Sequence, residues 1–219
     1  MSSLLPLLRA NRPFYLSYAV LLLAVGGLQL RFSQTELMQW VNAHTSPAAD
    51  LFFTYATYLG DGAFFALVIL ALLLRSYRWA IKSLLAFLLT TLVAQGLKRL
   101  VFADHPRPAK FFAENALPFR PVEGVELAYY HSFPSGHSTS AFALFCLLAL
   151  IVKNKRWGYA FALLAALTAY SRVYLFQHFV QDVYVGSLIG VVVSTLIFSV
   201  LQHYWTQKPK AWLDRRLLG

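Results

Sequence analysis

Six apolar runs of membrane-spanning length constrain this chain more than any other feature of its sequence. They fall at about residues 14–30, 51–74, 80–101, 135–152, 157–176 and 179–203. A helix needs about 20 mostly apolar residues to cross a bilayer, and in lipid a helix satisfies its own backbone polar groups. The runs predict an all-α integral membrane protein with six transmembrane helices, forming one unit over residues 1–219. Of those residues 58% are hydrophobic and 13% charged, about half the charged share of a soluble domain. The first run follows Arg9, Asn11 and Arg12, as a signal peptide's would. No small-residue cleavage site follows Leu28 and five further runs come after it, so a retained span is expected. Cys146 is the lone cysteine, which excludes an internal disulfide framework and reads as a small buried hydrophobe.

A net charge of +10 raises the possibility of a nucleic-acid partner. Its distribution points elsewhere. Six spans put both termini on one side, where twelve of the nineteen basic residues collect, leaving seven on the other. Lysine and arginine are retained on the cytoplasmic side. The expectation is a multi-pass protein of the inner (plasma) membrane with both termini cytoplasmic and no nucleic acid bound. Its partners are the bilayer and an anionic lipid; the oligomeric state is not legible.

Between the first two runs, Ser33 precedes Glu36 by three residues, a capping box. Leu37, Trp40, Val41 and His44 follow at helical spacing, so residues 31–50 should hold an interfacial helix, with no chemical role for Trp40 or His44. Gly60-Asp61-Gly62 marks a possible break in the second run. An intramembrane carboxylate is a candidate for function, but Asp61 is read as structural, pairing with a neighbouring span. The loop 102–133 carries Pro106, Pro108, Pro118 and Pro121 and many aromatics, suited to the membrane surface or a lipid entrance. Gly186 and Gly190 form a small-residue seam for packing within the chain.

Three polar clusters interrupt this pattern, and span alternation puts all three on the outer side. The first is Lys98 at the end of the third run, followed by Arg107-Pro108. The second is Pro134-Ser135-Gly136-His137, opening the fourth run. The third is Ser171-Arg172, then His178, then Asp182. A helix beginning at Ser135-Gly136 offers free backbone N–H groups and a positive dipole end to a phosphate. Arginine forks and a lysine neutralise its oxygens. His178 and Asp182, four apart, share a face if one helix carries both. The carboxylate then holds Nδ1–H and leaves Nε2 as a nucleophile, while His137 is placed to protonate a leaving oxygen. Arg172 and His178 can meet only if the helix ends between them, at about Tyr174–Gln177. His105 and His131, with Asp104, Glu123 and Glu126, lack compact ligand spacing, so neither metal nor cofactor is expected.

In these clusters the chain resembles the type 2 phosphatidic acid phosphatase superfamily, over about residues 50–203. The second and third match its Pro-Ser-Gly-His and Ser-Arg-(five)-His-(three)-Asp patterns in full. The resemblance implies a metal-independent lipid phosphatase. It makes His178 the nucleophile, Asp182 its partner and His137 the general acid. Lys98, Arg107, Ser135, Gly136 and Arg172 become the phosphate ligands. Eight residues separate Lys98 from Arg107, where the family usually has six, which leaves Arg99 as a competitor. An anion channel would explain the cations but not two histidines, one beside a carboxylate. The six spans argue against the haloperoxidases of the same superfamily, which are soluble. A phosphotransferase stays open. The substrate preference is slight, for undecaprenyl diphosphate over phosphatidylglycerol phosphate, phosphatidic acid or lipid A.

Overall fold

The computed structural model describes residues 4–217, and among these it contains helices and connecting segments but no strand. A short helix α1 (Leu4–Ala10) leads into α2 (Arg12–Arg31). Helix α3 (Gln34–Ala43) lies between the first two apolar runs, and its capping box forms as expected. The Ser33 hydroxyl accepts the Glu36 N–H at 3.2 Å, and the Glu36 carboxylate accepts the Ser33 N–H at 2.8 Å. Trp40 and His44 stack on each other, with ring centroids 4.5 Å apart.

The second run is not a single rod. It folds as α4 (Pro47–Ala56), a 3-10 turn (Thr57–Gly60) and α5 (Gly62–Leu73), the two halves bent by 55° at Asp61. A Cβ on Gly60 would come within 2.9 Å of the His137 carbonyl, so the chain passes there only as glycine. The third run is α6 (Tyr77–Gly96), prolonged by a π turn (Leu97–Val101). Then come α7 (Pro108–Glu114), α8 (Gly136–Ile151), α9 (Trp157–Tyr174) and α10 (Val180–Gln207).

Three helical stretches, Arg12–Arg31, Tyr77–Val101 and Val180–Gln207, are long and apolar enough to cross a membrane, and the bent pair makes a fourth. Helix α8 has 16 residues, about 24 Å at 1.5 Å per residue, short of a hydrocarbon core of about 30 Å. It is the central helix, packed against α6, α9 and α10, with most of its length buried. Lipid offers no hydrophobic drive for helices to associate, so close backbone approach and hydrogen bonds hold such a bundle. Both are present. Gly186 and Gly190 of α10 lie against the backbone of α8, where added Cβ atoms would meet Ser135 O at 2.6 Å and Thr139 O at 2.5 Å. Tyr15 and Tyr18 tie α2 to α10 through Thr195 (2.8 Å) and Ser187 (3.1 Å). Cys146 is buried, as expected.

Apart from α7, the segment 102–133 is irregular but anchored. Asn42 exchanges two hydrogen bonds of 2.8 Å with the Arg120 backbone. The Arg120 guanidinium pairs with Asp50 at 2.6 Å, and Asp50 also accepts the Tyr174 hydroxyl at 2.6 Å.

Candidate active site

The ends of α6, α8, α9 and α10 meet at the site, and the N-cap of α7 supplies Arg107. α6 and α9 run toward it, α8 and α10 run away from it, and all three polar clusters gather at this end of the bundle. The hydrogen bond from Ser135 N to Asp182 O, 3.0 Å, brings the N-termini of α8 and α10 side by side. Both dipoles then present their positive ends to the same space.

His178 and Asp182 meet, though one helix does not carry both. α10 begins at Val180, so His178 precedes it and Asp182 occupies its first turn. There the Asp182 Oδ2 accepts the Phe179 N–H at 2.9 Å and lies 3.4 Å from His178 Nδ1. The turn that delivers His178 is strained at Phe176, whose φ of 58° is left-handed. Its ring stacks on Phe119 at 4.6 Å and packs edge-on against Phe112 at 4.9 Å, which fixes it there. The Arg172 carbonyl accepts the N–H groups of both Gln177 (2.9 Å) and His178 (3.1 Å). The helix end at Tyr174 thus folds Arg172 and His178 together, as the spacing required. Burial, then the charges of Arg107, Arg172 and Lys98, hold His178 well below the usual histidine range. Its ring is neutral at ordinary pH.

Ser135 is the N-cap of α8. Its Oγ accepts from the backbone N–H (3.4 Å) and the hydroxyl (3.0 Å) of Ser138, which leaves its own hydrogen to donate. A Cβ on Gly136 would meet no protein atom within 4 Å, so the helix mouth is open there. Arg172 donates from Nη1 to Thr57 Oγ1 at 2.7 Å, while its buried Nε–H has no protein acceptor. A buried donor of that kind suits an anion. Arg107 is steered by the Tyr130 carbonyl (2.9 Å) and by the Gln177 side chain (3.1 Å) and carbonyl (3.2 Å).

The π turn resolves the two adjacent basic residues of α6. In this turn, where Phe102 N–H reaches Leu97 O at 2.9 Å, Lys98 faces inward and Arg99 outward. Lys98 is buried within reach of the charges of Arg107, Asp182 and Arg172, and Arg99 is exposed. The two extra residues before Arg107 place the His105 carbonyl under the Ser132 N–H, at 3.1 Å.

Three residues outside the expected set also stand in the site. Ser132 is fully buried and donates to Asp182 Oδ2 at 2.5 Å, with its Oγ 3.4 Å from His178 Nδ1. Thr57 holds Arg172. Asp61, read from sequence as a structural partner of another span, bonds to a neighbouring helix, α8, where its partner is His137, Nε2 to Oδ1 at 2.7 Å. A polar residue two before the Pro-Ser-Gly-His motif, and an acid inside an apolar run, were the available signals. His105, His131, Asp104, Glu123 and Glu126 do not gather. No group of three His, Cys, Asp or Glu side chains suited to a metal occurs among the described residues.

Two helix N-termini, three buried or half-buried cations and two histidine–carboxylate pairs lie together at one end of a bundle that contains helices of membrane-spanning length. Residues 105–206 match the model of the PAP2 superfamily. Lys98, Thr57 and Asp61 lie outside the matched stretch. Over 141 residues, 60% of the chain, it is 31% identical to the lipid A 1-phosphatase of Rhizobium etli, covering 58% of that protein. Over 134 residues, 61% of the chain, it is 25% identical to the undecaprenyl-diphosphatase BcrC of Bacillus subtilis, covering 66% of it. The chain thus spans about three fifths of the length of these relatives. The crystal structure of Aquifex aeolicus LpxE superposes with a TM-score of 0.65 at 29% identity, over 74% of this chain and 93% of that one.

Proposed function

We propose that the chain is a membrane-bound phosphatase that hydrolyses a lipid phosphate or diphosphate through a phosphohistidine. The observation that carries this reading is His178. A neutral, buried imidazole has Nδ1 beside a carboxylate and is surrounded by Arg107, Arg172 and Lys98. In the first half-reaction His178 Nε2 attacks phosphorus and Asp182 stabilises the positive ring through Nδ1–H. Lys98, Arg107, Arg172, the Ser135 hydroxyl and the Gly136 backbone hold the phosphoryl oxygens. His137 gives a proton to the leaving oxygen as the P–O bond breaks. In the second half, water attacks the phosphohistidine, His137 takes the water's proton, and phosphate leaves with His178 restored.

The same reading counts α8 and α9 as the remaining two spans of a single six-span unit, α8 shielded from lipid by its neighbours. The excess of basic residues on the side of both termini then makes that side cytoplasmic and puts the site at the outer face of the inner membrane. The preference for undecaprenyl diphosphate has support in the BcrC likeness, and lipid A in the Rhizobium one. Their common chemistry is a phosphate borne on a lipid. The deciding experiment offers purified protein undecaprenyl diphosphate, lipid A, phosphatidylglycerol phosphate and phosphatidic acid, and measures free phosphate. Release from at least one is expected, with undecaprenyl diphosphate fastest. Phosphate passed to an added alcohol, with none released to water, would make the protein a transferase instead.

Lys98 and Arg99 separate cleanly in this scheme. Lys98→Ala is expected to lower turnover by about 10-fold or more, since a hydrogen bond to a charged group contributes about 1.5–3 kcal/mol. Arg99→Ala should change it little. The reverse ranking would move the role to Arg99.

A further inference from the structure

We propose that Asp61 is a positioning residue for His137, holding the ring by Nε2 and stabilising its positive charge so that Nδ1 delivers the proton. This rests on the phosphohistidine reading above. Asp61 is by position the N-cap of α5, where an aspartate ordinarily accepts N–H groups of its own helix. Its side chain makes no such cap bond. It reaches across to α8 and meets His137 Nε2 at 2.7 Å, the length of a charge-assisted hydrogen bond. The backbone is arranged for that reach. The second span breaks by 55° at this residue, and Gly60 lies against the His137 carbonyl so closely that a side chain there would collide.

The pair is not sealed in the core. The side chains of His137 and Asp61 are 31% and 35% exposed. His137 borders a cavity of about 220 Å³ that Gly60, Gly62, Gly136, Thr91 and Gln95 also line, with room for the leaving part of an ester. Lys98, Arg107 and Arg172 are the cations whose charge reaches His137. A bound phosphate offsets those three, while Asp61 stays bonded to the ring. The step then balances. As the P–O bond breaks, the Nδ1 proton goes to the leaving oxygen and the Nε2 proton stays between ring and carboxylate. The water of the second half-reaction returns a proton to Nδ1.

The test compares wild type, Asp61→Asn, His137→Ala and the double variant on two substrates, an alkyl lipid monoester and p-nitrophenyl phosphate. Asparagine keeps the shape and removes the charge. Asp61→Asn is expected to lower kcat on the alkyl ester about 10–100-fold, less than the acid's own contribution of about 10²–10⁴-fold. The aryl ester, whose leaving group needs no proton, should be nearly unaffected. The double variant should be no slower than His137→Ala alone, and vanadate should still inhibit Asp61→Asn. Equal losses on both esters, or losses that multiply with those of His137→Ala, would overturn the assignment. If Asp61→Asn loses vanadate inhibition, Asp61→Glu decides. With its charge kept it should outpace His137→Ala on the alkyl ester, and failure to do so sinks the role. A wild type that cleaves neither ester nor any lipid of the panel overturns the phosphatase reading itself, and this inference with it.

Discussion

His178→Ala is expected to abolish turnover of every phosphate ester and diphosphate offered, a loss on the order of 10⁴–10⁶-fold, as when other enzymes lose their nucleophile. The loss is chemical rather than structural. Without the imidazole, Asp182 still accepts from Ser132 and from the Phe179 N–H, so the first turn of α10 keeps its ties. The proposed phosphate ligands stand on other residues, and vanadate should continue to bind, though without its bond to the ring. Rapid quenching of wild type with labelled substrate should trap phosphate that is acid-labile and base-stable, as a phosphoramidate is. Mapping should place the label on residue 178. Label surviving in His178→Ala would mean that another group is the nucleophile.

His137→Ala is expected to show a different pattern, graded by what leaves. A positioned general acid contributes about 10²–10⁴-fold, but only where the leaving oxygen is basic. An alkoxide departing from a phosphate monoester needs the proton most. A lipid monophosphate departing from a diphosphate needs it less, being already a weak base. An activated aryl oxide needs it least. Turnover of the three substrate types should fall in that order, measured as kcat with purified protein in detergent. Equal losses across the series would make His137 a phosphate ligand or a structural residue. Its contact with Gly60 makes the second possibility concrete, so the comparison among substrates, not the size of any one loss, decides the role.

What could be read from the sequence divides along a physical line. Pro134 through His137, Arg172, His178 and Asp182 were legible because each motif is contiguous and its chemistry depends on residue type and spacing. Four of the six apolar runs were legible as helices of membrane-spanning length, the bent pair taken as one, because bilayer thickness sets that length; α8, with 16 residues, falls short of it. His178 and Asp182 are not carried by one helix. Spacing of four suggests one face, but Phe176 in the left-handed region starts α10 two residues after the histidine. Ser132 and Thr57 were passed over because a lone hydroxyl gains meaning only from its neighbour in space, Asp182 for one and Arg172 for the other. The partner of Asp61 was hidden for the same reason. Lys98 could not be told from Arg99 because adjacent helical residues point about 100° apart and the sequence does not say which of the two faces the other helices.

The glycine seam of α10 acts as a ruler. Residue 186 sits on the carbonyl of Ser135 and residue 190 on that of Thr139, four residues apart on both helices. The register of α10 against α8 is thereby set to within one helical turn. Sliding by one turn would shift the helices by about 5.4 Å, enough to carry His178 out of bonding reach of any anion held at the mouth of α8. The spacing between His178 and the mouth of α8 is in this sense gauged by backbone touching backbone, at the rim of the site and one turn below it.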